Sequence, residues 1–336
     1  MRSLCATFLV LAAAAVSAAQ WIKQPVNTMA SFRGLSVVNE KVIWASGTGG
    51  TVIRTTDGGK TWKVMVVPGA EKLDFRDVEA FEANTAYALS IGNGDASRIY
   101  KTTDGGATWK LQFTNKNEKA FFDAIACWDR NNCIAMSDPV DGHYVLISTT
   151  DGGADWKPIV SNQMPAAKDG EAAFAASGTC LYIAPGDTVY LVSGGSDARV
   201  FRSSDRGLTW TVADTPIVKG TPGSGIFSIT FRNDLHGTVV GGNYEKPNEA
   251  NNSLAFTRDG GKSFYEGEGL GGYRSAVTYI DDRTLIAVGT NGTDISLDRG
   301  GTWKKIGDEN LNAVAAKGAK AIWAIGPNGL VAKLRP

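Results

Sequence analysis

Apolar residues along this chain come in runs of four to eight, broken by Gly, Asp and Asn, and few stretches keep a helical spacing. Such runs predict short strands joined by tight turns. The segments FRGLSV from Phe32, FRDVEA from Phe75, FDAIAC from Phe122, EAAFAA from Glu171, IFSITF from Ile226, YRSAVTY from Tyr273 and LNAVAA from Leu311 open successive units of one plan. After each comes a polar hairpin such as 39–40, 129–132, 233–237 or 281–283, then a second strand, a third strand and a polar turn. Small residues recur in the opening strands, at Gly34, Ala124, Ala173, Ser228, Ala276 and Ala313. That is expected of strands converging on an axis with little room for side chains.

The turn that closes each unit is a repeated phrase. It reads TTDGGKTW from Thr55, TTDGGATW from Thr102, TTDGGADW from Thr149, SSDRGLTW from Ser203, TRDGGKSF from Thr257 and SLDRGGTW from Ser296. Asp57, Asp104, Asp151, Asp205, Asp259 and Asp298 each precede by two positions a glycine able to take positive φ. An Asp entering a turn accepts hydrogen bonds from the amides that follow. The aromatic three residues after that glycine starts the next strand and buries its ring against the neighbouring unit. These aspartates are therefore expected to hold turns rather than ligands.

The phrases advance by 47, 47, 54, 54 and 39 residues, about 48 on average, which suits four-stranded blades of a propeller. Six phrases account for six blades. The segment 321–334 (AIWAIGPNGLVAKL) echoes 42–55 (VIWASGTGGTVIRT) without a phrase after it, and QWIK at 20–23 looks like a strand that follows one. The fold expected is all-β: a seven-bladed β-propeller, closed by the N-terminal strand completing the last blade. Closure of this kind leaves no free sheet edge between first and last blades.

Residues 1–19 carry Arg2, an apolar run over 4–16 and Ser17-Ala18-Ala19 before Gln20. This is the layout of a secretory signal, shorter than a membrane anchor. The reading is a signal peptide over 1–19 and a single propeller over 20–336, exported to the periplasm or secreted, with no membrane span after signal removal. Lys plus Arg and Asp plus Glu are both 34, so no global field favours nucleic acid. A monomer is expected.

Cys127 and Cys133 flank the hairpin 128–132 and are expected to form a disulfide in an oxidising compartment, leaving Cys180 as a buried apolar residue. The three Cys after residues 1–19 and the two His, scattered without ligand spacing, give no metal site. No catalytic residue, phosphate-binding loop or cofactor site is recognisable: His143 and His236 sit in turns, with no nucleophile signature nearby.

The stronger chemical lead is charge on the opening strands. Arg33, Arg76, Asp123, Glu171 and Arg274 fall at or beside one aligned position in five blades, where their side chains could gather at one mouth of the central channel. Arginines there could take an acidic group in bidentate fashion. The loops 214–223 and 244–252 are longer than the repeat requires, and Tyr244 and Tyr273 lie in this less regular stretch.

The repeated phrase resembles the Asp-box, or BNR, repeat, which in its families joins the third and fourth strands of a blade at the outer rim. Almost the whole mature chain resembles the exported bacterial propellers described as photosystem II stability/assembly factor-like (Ycf48-like), sometimes labelled oxidoreductase-like. The resemblance implies a non-enzymatic scaffold with an arginine-bearing face that holds a protein partner, such as a membrane-protein precursor or envelope protein. Arg33, Arg76 and Arg274 are then the contact candidates. The alternative is a sialidase-like glycoside hydrolase with a glycan ligand, whose arginine triad, carboxylates and tyrosine would be Arg33, Arg76, Arg274, Glu171, Asp123 and Tyr273. Phe32-Arg33-Gly34-Leu35 departs from the signature of those enzymes by lacking its proline.

Overall fold

The computed structural model describes residues 20–160 and 163–335, so the signal segment expected over 1–19 lies outside the described residues. Seven antiparallel sheets form a ring, one per blade. Blade I holds strands Phe32–Val37, Ile43–Gly47, Thr51–Thr55 and Lys63–Val66. Blade II runs from Phe75–Ala80 to Lys110–Thr114 and blade III from Phe122–Cys127 to Lys157–Pro158. Blade IV begins at Leu181–Ile183, blade V at Ser224–Phe231, blade VI at Ala276–Tyr279 and blade VII at Ala313–Ala316. The first strand described, Gln20–Lys23, is the outer strand of blade VII, with Gln20 opposite Arg335 and Trp21 opposite Leu334. The Trp21 indole also donates to Thr293 of blade VI at 2.9 Å, tying the closing strand to the blade behind it.

The core lies between blades rather than within any one of them. Trp44, Val52 and Met65 of blade I pack on Phe75, Val78 and Tyr100 of blade II; Phe32, Ile43 and Ile53 pack on Trp323 and Val331 of blade VII. Each blade thus buries its apolar faces only by having neighbours, at about 25 cal/mol per Å² of apolar surface.

The Asp-boxes share one wiring, except that the third has Asp155 where the others place a Thr or Ser hydroxyl on the carboxylate. In the first, the Asp57 carboxylate accepts from the Thr55 hydroxyl at 2.8 Å, the Thr61 amide at 3.0 Å and the Thr61 hydroxyl at 2.7 Å, while Gly59 N–H donates to Thr55 Oγ1 at 3.0 Å. The hydroxyl-to-amide closure recurs at Gly106, Gly153, Gly207, Gly261 and Gly300 at 2.8–2.9 Å. Gly59 has φ 90°, and a Cβ on it would stand 2.3 Å from the Trp323 ring. The box aromatics lean backwards onto the preceding blade: Trp62 on Trp323, Trp109 on Trp44 and Trp156 on Tyr87, with ring centroids 5.5, 6.4 and 6.3 Å apart.

One opening strand differs from the expectation. EAAFAA is not the inner strand of blade IV; that strand is Leu181–Ile183. Glu171–Ala172 instead pairs with Gly194–Gly195, and both extend the sheet of blade V to six strands. The small residues that made the segment look axial serve another purpose, described below. Cys127 and Cys133 are joined by a disulfide across the first hairpin of blade III, and Cys180 is free and buried. Among the described residues no helix is long and apolar enough to cross a membrane.

Candidate binding site at the channel mouth

Four inner strands enter the ring through the same backbone bond. Phe32 N–H donates to Gly326 O, Ile226 to Ser193 O, Arg274 to Gly241 O and Leu311 to Gly289 O, each reaching the previous blade at 2.9–3.1 Å. In blades I, II, III and V the next residue is skipped by the strand pairing, a bulge that frees its side chain from the sheet. The residues at this position are Arg33, Arg76, Asp123, Phe227, Ser275 and Asn312, and all six line one axial cavity of about 460 Å³.

This register separates the five charged residues named above. Arg33, Arg76 and Asp123 reach the mouth. Arg274 sits one position earlier, at the place of Phe32, and a one-residue shift turns a side chain to the other face. It is fully buried inside blade VI, where Nε reaches the Asp294 carboxylate at 2.8 Å and Nη1 bonds Tyr273 O and Asn291. Ser275 faces the cavity in its stead. Glu171 is buried too, clasped by the Arg199 guanidinium and by the Ser193 hydroxyl at 2.5 Å. The residues required by a hydrolase triad are therefore not brought together.

Blade IV contributes nothing at the bulge position because the chain before it, residues 173–179, lies across the mouth. Arg33 donates to Ala176 O at 3.1 Å and Arg76 to Ala175 O at 3.3 Å. Ala173 N–H donates to Asp138 at 2.7 Å, and the Ser177 hydroxyl to Ser275 O at 2.9 Å. Phe174 stacks on Phe227 with centroids 3.9 Å apart and planes within 4°. A segment touching blades I, II, III, V and VI must cross the axis, and its run of alanines allows it to fit there. Tyr244 and Tyr273 close an aromatic box around Phe227, edge-on at 6.3 and 4.8 Å. Tyr244 and Tyr273 lay in the stretch singled out by loop length, and Phe227 occupies an aligned position legible in IFSITF; Phe174 gave no such signal.

The electrostatics of the mouth are uneven. Arg76 is held by Asp74 at 2.8 Å. Arg33 has no carboxylate partner among the described residues, and burial, together with Arg76, lowers its pKa. Burial pushes Asp138 up to about 6 and, deeper in the channel, Asp77 up to about 7, against the amides of Ile125 and Val78. Burial and then the neighbouring Asp138 hold Asp123 well above the usual carboxylate range. A second hollow of about 450 Å³ lies at the rim between blades V and VI, but Arg232 and Arg299 are tied there to Asp282, and Arg258 to the Tyr265 hydroxyl. Among the described residues no group of His, Cys, Asp and Glu could hold a metal ion.

The fold and its boxes define a seven-bladed Asp-box β-propeller with a cavity on its axis. The solved structure titled "YCF48 bound to D1 peptide" superposes with a TM-score of 0.69 at 17% identity, covering 93% of this chain and 94% of that one. "YCF48 from Cyanidioschyzon merolae" superposes at 0.67 and 19% identity, covering 94% of this chain and 99% of that one. At these identities the likeness is one of fold. No family model and no curated protein matches the chain.

Proposed function

We propose that this chain is a non-enzymatic, exported binding or assembly scaffold that captures a protein partner at the channel mouth, with Arg33 and Arg76 meeting an acidic group of that partner. The observation that carries this reading is Arg33: a guanidinium on the wall of a 460 Å³ aromatic cavity, bonded among the described residues only to the Ala176 carbonyl. A carboxylate would give it a charge-assisted, bidentate partner in place of a neutral one. The structural neighbour described as bound to a D1 peptide supports a polypeptide as the kind of ligand. Export is inferred from the segment at 1–19 and agrees with the Cys127–Cys133 disulfide. Glu171 and Arg274 serve as internal ion-pair members in this reading, and no observation favours the glycosidase.

The test is affinity capture from the envelope fraction with the mature protein beside its Arg33→Glu/Arg76→Glu variant, partners being identified by mass spectrometry. A protein held by the unmodified chain, released by salt and lost on the double variant is the expected result. Retention by the variant across the salt range would sink the proposal.

A further inference from the structure

The acidic half of the mouth has no assigned role. Asp123 is 1% exposed, and its Oδ2 has no hydrogen-bond partner among the described residues. Asp138, on the adjacent strand of the same blade, is close enough to oppose its ionisation and spends one oxygen on the Ala173 amide. Neither carboxylate forms an ion pair among the described residues, since Arg76, the guanidinium that acts on Asp123, is already engaged by Asp74. An acceptor buried and unpaired is costly, and two adjacent carboxylates more so. The same cavity presents the stacked Phe174 and Phe227 and the rings of Tyr244 and Tyr273. Carboxylate oxygens beside aromatic faces are the surroundings that an organic ammonium prefers, while a bare metal ion needs more oxygen ligands than two carboxyl groups supply.

We propose that Asp123 and Asp138 form a subsite for a primary ammonium group. The segment taken up by the mouth then carries a basic group beside the acidic group held by Arg33; this placement rests on the scaffold reading, whereas the subsite itself can be tested without a partner.

The full mature protein, with ¹³C at the aspartate carboxyl groups and ¹⁵N at the amides, is titrated with n-butylamine and with 1-butanol at neutral pH. The amine should shift Asp123, Asp138 and the Ala173 amide in a saturable way, and the alcohol should not. Asp123→Asn should weaken the amine by about tenfold or more. Equal shifts by the alcohol, or amine binding unchanged in Asp123→Asn, would overturn the subsite; the alcohol comparison needs no variant to fold. Nα-acetyl-lysine N-methylamide against alanine N-methylamide then tells a lysine side chain from a chain N-terminus, the lysine compound being expected to bind more tightly. Amine binding with no partner lost from Arg33→Glu/Arg76→Glu would leave the subsite standing and remove the scaffold; the converse pattern would remove the subsite alone.

Discussion

The outer rim and the channel mouth are built on the same sevenfold plan and use it in opposite ways. At the rim, six boxes repeat one hydrogen-bond scheme, and a change of residue is absorbed without changing the turn: Arg206 and Arg299 take φ of 59° and 67° where the other boxes place a glycine. At the mouth six of the seven blades bring an aligned residue to one cavity, yet that position carries Arg, Arg, Asp, Phe, Ser and Asn in turn. Repetition at a repeated position marks what every blade needs in order to fold. Diversity at a repeated position marks a surface free to be shaped to something else.

Arg274, buried and paired with Asp294, belongs with the rim in this respect although it stands one residue from the cavity-lining Ser275. Arg274→Met leaves the Asp294 carboxylate buried without its cation and should cost about 3–5 kcal/mol in urea unfolding. A loss near zero would mean that this pair is not structural. Next comes pH. Thr61, Thr108 and Thr302, chiefly through their hydroxyls, hold the rim carboxylates Asp57, Asp104 and Asp298 at about 2. Their stabilisation is present above an unfolded value of about 4 and is lost as pH falls through 2. Asp77 and Asp138 behave inversely: with folded values of about 7 and 6, the folded chain keeps protons that the unfolded chain has released. Stability from the axis is therefore complete below about pH 4 and declines as pH rises to 7, by up to about 1.4 kcal/mol per pH unit for each such proton. Denaturation across pH 2–8 should show a maximum near the boundary, and Asp77→Asn should flatten the neutral side; an unaltered slope would refute the assignment.

Smaller effects sharpen the same contrast. Thr55→Val deletes the hydroxyl that receives Gly59 N–H and should cost about 1 kcal/mol, with a similar loss at Thr102 in the next box. Arg33→Ala should cost about 1 kcal/mol or less, since a single bond to Ala176 O is lost, while capture of a partner falls sharply. If Arg33→Ala destabilises as much as Arg274→Met, the mouth is structural after all.

The rim was legible in the sequence because a turn is local chemistry: an Asp, a Gly two residues on and a hydroxyl are all within one phrase. Arg33, Arg76 and Asp123 were legible because their strands begin with the same Phe. The segment expected to open blade VI begins instead with Tyr273, and aligning that aromatic with Phe32 placed Arg274 at the cavity-lining position, a slip of one residue that no composition could reveal. EAAFAA misled for a different reason. Small residues suit both an axial strand and a segment threaded over an axis, and only the partner strand, Gly194–Gly195, distinguishes them. The aromatic box depends on Phe174 arriving from that segment, so one of its four rings was invisible before the path of the chain was known.

The pairing of Gln20–Lys23 with Val331–Arg335 also imposes an order in time. The strand of the ring made first is the last to find its place, because its partner is the last of the described strands to be made. Until then blades I to VI can stack only as an open horseshoe, with Trp21 unpacked and the edge of the final sheet bare, and the mouth has no fixed perimeter. The ring cannot close before Val331–Arg335 has been made, and truncation after Ala332 would leave it permanently open.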